Sequence, residues 1–493
     1  MFDSKQQGDP AESSYRLVSA LFLRLLAIIY FIAFYSMTSQ VIGLVGSDGI
    51  LPVSPWLEQL LIDLDWQAFL FFPTLLWFES SDSFLQGLTW AGCVFAVGLL
   101  FNLWPRTNLV LLFICYLTLV TGGQTFMNFQ WDGLLLEAGF LAIFLRPDSR
   151  VLVFLFRWLL FRLRFMSGLS KLVMADPSWL GMTALIYYFE TQPLPHVGAW
   201  YFHNLPQSIL IAATVMVLIV EILVPLMMFL PRRYRLFAAW VTLVFQLLIV
   251  LSSNHNWFNL LTLALILFLF DDKALARILP NWLIDWLRDG WRVRLERPIA
   301  PVTRRWHGVM AGLLIGAGVL SIYRMAIDDD LGEPLNTSLD VLQAWHLVNS
   351  YHVFPTMTTR QIELKIEGSI DGIHWKPYDF RYRPDDPATR PGIVLPHHPR
   401  LDWMAWFVPF SPRFLHWFDS FLIALMDNSS DVTALLRENP FADQAPNYLR
   451  VHAWHYQFTS PEEKARTGHW WKRQYLGLFT PLPGKHRLAM PAS

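Results

Sequence analysis

The chain has 493 residues, of which 54% are hydrophobic and 16% are charged. Soluble domains usually contain about 25% charged residues, so this composition excludes an ordinary soluble protein and predicts a polytopic α-helical membrane protein. The net charge of −1 provides no general attraction for nucleic acid. The two cysteines both lie in apolar segments, which excludes a disulfide framework and a cysteine-ligated metal centre.

Nine apolar stretches of roughly bilayer-spanning length predict about nine transmembrane helices. A further stretch, 66–78, is short and broken by Pro73, so we interpret it as interfacial or re-entrant. The predicted spans are 17–44, 84–104, 107–121, 130–146, 150–172, 207–230, 234–253, 257–270 and 305–327.

Short loops rich in lysine and arginine stay in the cytoplasm. The basic loops here alternate without conflict with loops that are poor in these residues. This pattern predicts that the N-terminal tail, 1–16, is cytoplasmic, that the multi-span membrane domain covers 17–272, and that everything after residue 328 lies on the outer side.

The stretch 273–304 interleaves tryptophan and leucine with arginine, which favours a basic amphipathic segment in the cytoplasmic interface. The last span, 305–327, contains Gly308, Gly312 and Gly316 at four-residue spacing. Such a stripe of small residues favours close helix packing. We favour packing within the chain, and a dimer through the same stripe is the alternative.

Residues 328–493 have the composition of a soluble domain, predicted to be α+β and rich in β-structure. Alternating runs at 361–367 and 374–383 flank an Asp-Gly turn, which predicts a hairpin. Helices are predicted at 412–426 and 430–438, and a strand at 448–458. The aromatic side chains of Trp375, Trp403 and Trp406 are candidates for a client-binding face, with core positions as the alternative.

The run 157–195 places Arg157, Arg162, Arg164 and Lys171 in an otherwise apolar segment. Charges at membrane depth are costly, so each is a hypothesis for a functional site. A structural role is favoured for each arginine: Arg157 and Arg164 could extend to an interface, and Arg162 could pair with a carboxylate on a neighbouring helix. Lys171 differs, because a buried lysine loses its proton readily and can then act as a base.

Several polar clusters lie towards the outer side and predict one outward-open cavity. Mutual pairing between helices is the alternative. Histidine pairs in the C-terminal half do not predict a metal site, because residues three apart on a strand face opposite sides. The candidate cavity-lining residues are Gln130, Asp132, Glu137, Arg162, Trp179, Glu221, Asn254 and Asn259.

Long stretches of the chain resemble the lipase maturation factor family, in the same order and over roughly residues 15–478. The resemblance implies a membrane protein that helps secreted lipases to fold, with its C-terminal domain in the lumen of the endoplasmic reticulum in eukaryotic members. The stretches are FQWDGLLLEAGFLAIFLRP (129–147), FRWLLFRLRFMSGLSKL (156–172), ETQPLPHVGAWYFHNLP (190–206), NHNWFNLLTLALILFLFDD (254–272), IEGSIDGIHWKPYDFRYRP (366–384), PHHPRLDWMAWF (396–407) and ENPF (438–441).

The membrane half also distantly resembles the vitamin K-dependent γ-carboxylase superfamily, also called the horizontally transferred transmembrane domain. SGLSKL at 167–172, followed by Trp179, matches the pattern around the carboxylase's basic lysine and places Lys171 on it. His255 and Asn259 match a His and an Asn near a helix start. The carboxylase's Asn-His pair has no counterpart, since Gln130 and Trp131 stand there.

Two functions from different classes follow. The first is a membrane-embedded factor that assists folding, assembly or export of secreted proteins, lipases by resemblance. The second is an integral membrane enzyme, linked to a quinone or lipid, with Lys171 as base and His255 or Glu190 assisting. The sequence names no cofactor. The few cysteines and the C-terminal RLAMPAS favour a bacterial inner membrane with a periplasmic C-terminal domain.

Overall fold

A computed structural model describes residues 14–289 and 301–479. The N-terminal half is helical. Its helices are α1 (Arg16–Thr38), α2 (Val41–Val45), α3 (Val53–Leu64), α4 (Gln67–Phe71), α5 (Asp82–Leu100), α6 (Pro105–Gly122), α7 (Gln130–Phe144), α8 (Arg150–Val173), α9 (Pro177–Leu180), α10 (Ala184–Tyr188), α11 (Val197–His203), α12 (Gln207–Ile222), α13 (Arg232–Ser252), α14 (Phe258–Ile266), α15 (Asp272–Leu275), α16 (Asn281–Asp289) and α17 (Pro301–Ala326).

Among the described residues, six helices are long and apolar enough to cross a membrane: Arg16–Thr38, Asp82–Leu100, Pro105–Gly122, Gln207–Phe229, Arg232–Ser252 and Arg304–Ala326. The protein is therefore a helical membrane protein. The other three predicted spans correspond to α7, to the charged helix α8 and to the short apolar helix Phe258–Leu269. The stretch 66–78 forms α4 and a short 3-10 helix, Leu75–Trp77.

The long helices pack as neighbours, with α1 against α5 and α8 against both α12 and α17. Helix α17 meets α8 through Gly318, where a side chain would lie 2.8 Å from the Trp158 indole nitrogen. The prediction that Gly308, Gly312 and Gly316 pack within the chain is therefore wrong: apart from adjoining residues and the backbone of the same helix, no atom of the described residues lies within 4 Å of a Cβ built on any of them. These three glycines lie on a different face of the helix.

The predicted interfacial segment 273–304 is described only in part. Helices α15 and α16 occupy its first half, and the Arg24 guanidinium of α1 lies 5.4 Å from the Trp286 ring of α16. Residues 290–300, like most of the predicted tail 1–16, lie outside the described residues.

The C-terminal domain, here residues 328–479, combines short helices with one sheet. Its elements are α18 (Leu335–Ala344), β1 (Gln361–Ser369), β2 (Trp375–Tyr378), α19 (Arg400–Ala405), α20 (Leu415–Met426), α21 (Ser430–Thr433), β3 (Tyr448–Phe458), α22 (Pro461–Thr467) and β4 (Trp471–Leu478). The membrane half also contains short 3-10 helices at Leu75–Trp77, Gln124–Phe126, Val224–Phe229 and Leu267–Leu269, and the C-terminal domain contains two more, at Val408–Phe410 and Pro412–Phe414.

The sheet is antiparallel with the strand order β2-β1-β3-β4. Ile366 of β1 stands opposite both Tyr378 of β2 and Val451 of β3, and all three side chains are buried. The turn between β1 and β2 contains Gly372 at φ +76°, a conformation that glycine adopts without strain. The predicted hairpin therefore forms, whereas β4 is an additional edge strand.

Candidate functional site

The main cavity lies between α8, α12 and α13, beneath residues 353–354 of the C-terminal domain. It has a volume of about 230 Å³ and mostly apolar walls. Cavities with apolar walls and a few convergent polar groups are the usual ligand sites of proteins. The charged, amide and imidazole side chains that line it are Arg164, Lys171, Glu221, Gln246, His255 and Asn259.

Helix α8 supplies the basic wall of the main cavity. Arg164, Ser167 and Lys171 lie three and four residues apart, so they share one face of the helix. On the same side, Gly168 lets α12 approach, since a Cβ at this position would lie 2.8 Å from the Cβ of Glu221. The SGLSKL motif thus brings a lysine and a glutamate from two packed helices together.

Lys171 is held by three hydrogen bonds. Its Nζ donates to Glu221 Oε2 at 2.7 Å, to the Val353 carbonyl at 2.8 Å and to the Ser167 carbonyl at 2.9 Å. The ammonium also lies 4.9 Å from the Trp179 ring. An ammonium has three N–H donors, so every donor of Lys171 is used. This geometry stabilises a charged Lys171–Glu221 pair that fastens residue 353 to the membrane domain.

A second chain of hydrogen bonds crosses the main cavity. Arg164 Nη2 donates to Gln246 Oε1, and Gln246 Nε2 donates to Asn259 Oδ1 at 2.7 Å. In the described part of the chain, Arg164 Nε and Asn259 Nδ2 are buried without a hydrogen-bond partner. Buried polar atoms are normally paired, so two residues of the cavity wall each retain a donor for a further acceptor.

His255 lies in the connection between α13 and α14, outside the six candidate spans. Its Nδ1 shares a hydrogen bond of 2.6 Å with the Ser253 hydroxyl, and its Nε2 has no partner among the described residues. Burial lowers the pKa of His255 to about 4, so the imidazole is neutral at physiological pH. The neutral imidazole therefore adds no charge to the cavity wall and leaves Nε2 as its one nitrogen without a partner among the described residues.

Glu190 does not belong to the main cavity. Its carboxylate accepts a hydrogen bond from the backbone N–H of Phe458 in β3 at 3.1 Å and lies 3.6 Å from His203 Nε2. Burial raises the pKa of Glu190 to about 7. Glu190 thus supports the end of β3, whereas Lys171 lines the main cavity, and a role for Glu190 beside Lys171 stays a prediction.

Glu137 and Arg162 form a buried ion pair beneath the C-terminal domain, away from the main cavity. Glu137 Oε2 accepts hydrogen bonds from the Asn349 backbone N–H at 3.1 Å and from the Tyr351 hydroxyl at 2.8 Å. Arg162 Nη1 donates to the Asn349 carbonyl at 3.0 Å. The pair therefore anchors residues 349–351 to α7 and α8.

Asp132 forms a second buried ion pair with the C-terminal domain. Its two carboxylate oxygens accept hydrogen bonds of 2.7 Å from Arg400 Nη1 and Nη2, and both side chains are 0% exposed. The Tyr116 hydroxyl donates to the same carboxylate at 2.6 Å. Bidentate arginine–carboxylate pairs are strong and directional, so this contact fixes α19 against α7.

Gln130 and Asn254 also bind the C-terminal domain. Gln130 makes two hydrogen bonds of 2.9 Å with the backbone of His352. Asn254 accepts from the Val394 N–H at 2.9 Å and donates to the Gly392 carbonyl at 3.0 Å.

Five of the eight predicted cavity-lining residues therefore lie at the contact between the two halves. Trp179, Glu221 and Asn259 line the main cavity with Lys171 and His255, while Gln130, Asp132, Glu137, Arg162 and Asn254 do not.

Sequence reasoning missed the partners of these residues and the part that Arg164 and Gln246 take in the cavity wall. The spacing of Arg164 and Lys171 on one helix face was the available signal for the arginine. Arg400 lies within the run PHHPRLDWMAWF, but nothing in that run identifies its partner.

Two of the three tryptophans proposed as a client-binding face are core residues. Trp403 is 3% exposed and packs 5.2 Å from the Trp131 ring, and Trp406 is 8% exposed and donates to Gln361 at 3.1 Å. Trp375 is half-buried beneath the Arg450 guanidinium. Near it, the hairpin tip (residues 370–375) exposes Ile370 and Ile373, the latter to 76%.

Two family models match the chain: the lipase maturation factor transmembrane domain over residues 17–277 and the lipase maturation factor C-terminal domain over residues 347–481. Similar named proteins include lipase maturation factor 2 of Gallus gallus, 32% identical over 94% of this chain and 80% of that protein. Lipase maturation factors 2 and 1 of Homo sapiens are 31% and 30% identical, over 94% and 96% of this chain and 82% and 89% of those proteins. No solved structure matches.

Proposed function

Because the chain belongs to the lipase maturation factor family, we propose that it assists the folding, assembly or export of secreted lipases from within a membrane. The observation that carries this proposal is the match to both domain models in one order, with relatives aligned over 94% of the chain or more. The names of those relatives give lipases as the client class.

The contact between the two halves supports this function. Three buried charged residues of α7 and α8 form hydrogen bonds to the C-terminal domain: Asp132, Glu137 and Lys171. A domain held in this way stays close to the bilayer, where a client arrives after translocation. We therefore assign client binding to the C-terminal domain and anchoring to the membrane domain.

The alternation of basic and neutral loops supports nine spans, with α7, α8 and the 258–269 helix added to the six long ones. In that topology the C-terminal domain faces the periplasm of a bacterial inner membrane, or the lumen if the membrane is that of the endoplasmic reticulum. The small number of cysteines favours the bacterial setting.

The hairpin tip is the client contact that the exposure pattern supports. Ile370 and Ile373 are exposed to 38% and 76%, and Trp375 lies beside them at the edge of the sheet. Exposed apolar groups of this kind are enriched where proteins bind partners. The other two candidate tryptophans are buried and stabilise the core.

The alternative, a membrane enzyme with Lys171 as base, draws support from the position of Lys171, His255 and Asn259 in one cavity. A base requires an unprotonated amine. Lys171 donates to three acceptors, one of them the Glu221 carboxylate at 2.7 Å. All three donors of Lys171 are engaged, and the Glu221 carboxylate offsets part of the cost of burying the charge, so the anchoring role is favoured over catalysis.

The proposed function is tested in cells that lack this gene. Wild-type protein is restored, and both the mass and the activity of secreted lipase are measured. We expect the activity per unit of secreted lipase to fall on deletion and to return on restoration. Unchanged activity in the deletion strain would remove lipases as clients.

A further inference from the structure

We propose that the main cavity binds the head group of a single-chain anionic amphiphile that enters sideways from the bilayer, a long-chain fatty acid being the simplest member of this class. The proposal rests on three observations: the position of the cavity mouth, the charge of the cavity wall and the unpartnered donors of two residues in that wall. It does not depend on the proposed function.

The mouth of the main cavity lies between α12 and α13. Met216 of α12 and Leu248 of α13 both line the cavity, and they are also 55% and 47% exposed. Both helices are long and apolar enough to cross the membrane. Their exposed faces therefore meet lipid, and the cavity is accessible from the hydrocarbon region without passage through water.

The charged side chains that line the main cavity carry two positive charges and one negative charge. These residues are Arg164, Lys171 and Glu221. Glu221 pairs with Lys171 at 2.7 Å, whereas the hydrogen-bond partner of Arg164 is the neutral side chain of Gln246. An uncompensated cation at membrane depth is costly, so an anionic ligand stabilises this arrangement.

Two residues that line the main cavity each retain a buried donor without a partner. Arg164 is 6% exposed and Asn259 is 1% exposed, and in the described residues Arg164 Nε and Asn259 Nδ2 have no acceptor. An oxyanion supplies acceptors to both, and an arginine fork suits a carboxylate or a phosphate. Leu163, Val217 and Phe245 are among the apolar residues that line the cavity, and the Phe245 ring lies 5.1 Å from the Arg164 guanidinium. This surface accepts one apolar chain.

The test uses the purified full-length protein in nanodiscs with a photoreactive, radiolabelled fatty acid, and locates the label by mass spectrometry. Two tryptophan variants test whether the fatty acid enters through the mouth. Leu248→Trp places a large ring at the mouth itself. Leu247→Trp, the control, places the same ring at a neighbouring residue that is 44% exposed and does not line the cavity. We expect Leu248→Trp to lose most of the labelling on α8, α12 and α13 and Leu247→Trp to retain it.

Arg164→Gln removes the cation, and we expect about tenfold weaker binding of the fatty acid, as for loss of one charge-assisted hydrogen bond. Unlabelled fatty acid and lysophosphatidic acid compete in separate arms, which identifies the preferred anion, and the fatty acid methyl ester should compete poorly. Equal competition by the ester, equal loss in both tryptophan variants or no label on the three helices would overturn the proposal.

Discussion

Arg400 of the C-terminal domain donates two hydrogen bonds of 2.7 Å to the carboxylate of Asp132 at the start of α7. The two residues are 268 positions apart in the chain, and neither side chain is exposed. The contact joins a helix of the membrane domain to the domain proposed to bind clients. It makes the two halves one structural unit.

Removal of one partner of this pair should destabilise the protein strongly. We expect Arg400→Met to lower the free energy of unfolding by about 3–5 kcal/mol, because it leaves a buried carboxylate without its cation. Thermal unfolding in detergent measures the effect. Limited proteolysis should also show the C-terminal domain cleaved more readily.

Lys472→Met is the matched control. It removes a cation of the same domain from a pair with Glu463 whose side chains are 50% and 34% exposed. Exposed pairs contribute only about 0–1 kcal/mol. The double variant Asp132→Asn with Arg400→Met should be less destabilised than the sum of the single variants. Additive losses would contradict the account of Asp132 and Arg400 as one interacting pair.

Glu190 should make stability depend on pH. Its pKa is raised by burial from 4.5 to about 7 in the folded chain. A carboxyl group with a raised pKa binds its proton more tightly in the folded state than in the unfolded state. The stabilisation of the fold by protonated Glu190 is therefore fully present below about pH 4.5 and is lost as the pH rises through about 7. The loss amounts to as much as about 3 kcal/mol.

Glu190→Gln keeps the side-chain size and removes the titration. The wild-type protein should lose stability between pH 5 and pH 8 relative to this variant. Unfolding in urea at several pH values measures the difference. Parallel pH profiles for the two proteins would show that Glu190 is not the titrating group.

The hairpin tip should determine client binding without a role in stability. Ile373→Asp replaces a side chain that is 76% exposed, so the fold should not change, while a charge in an apolar contact should weaken binding of an unfolded lipase by about tenfold. Co-purification or fluorescence anisotropy with the lipase measures this. Ile393→Asp changes a residue of the same domain that is 64% exposed and lies outside the tip. Equal effects of the two substitutions would contradict a specific site at the tip.

The sequence predicts the family and much of the fold. The resemblance to lipase maturation factors is confirmed by family matches over 17–277 and 347–481. Six long apolar helices follow from hydropathy, because a membrane span needs a continuous apolar run. The β1–β2 hairpin follows from the alternation of its residues and from Gly372 in the turn.

The partners of the buried charges could not be predicted in the same way. Asp132 and Glu137 in an apolar helix have the same local pattern whether they line a cavity or bind a distant domain. Their partners, Arg400 and Asn349, are separated from them by 268 and 212 residues. Only the packed structure distinguishes the two roles. By contrast, Lys171 and Glu221 meet because Gly168 allows α8 and α12 to pack closely.

The most direct test of the central claim is the activity of secreted lipase in cells that carry the double variant Lys171→Met with Glu221→Gln. Both charges of the pair are removed, so no buried charge is left without a partner. Cells lacking the gene receive either this variant or wild type at equal protein level. The contacts of Glu137 and Asp132 still hold the C-terminal domain when the Lys171 contact is removed, so an anchoring role for Lys171 predicts that the variant restores active lipase nearly as well as wild type. If the folded variant restores none, Lys171 takes part in chemistry and the anchoring account is wrong.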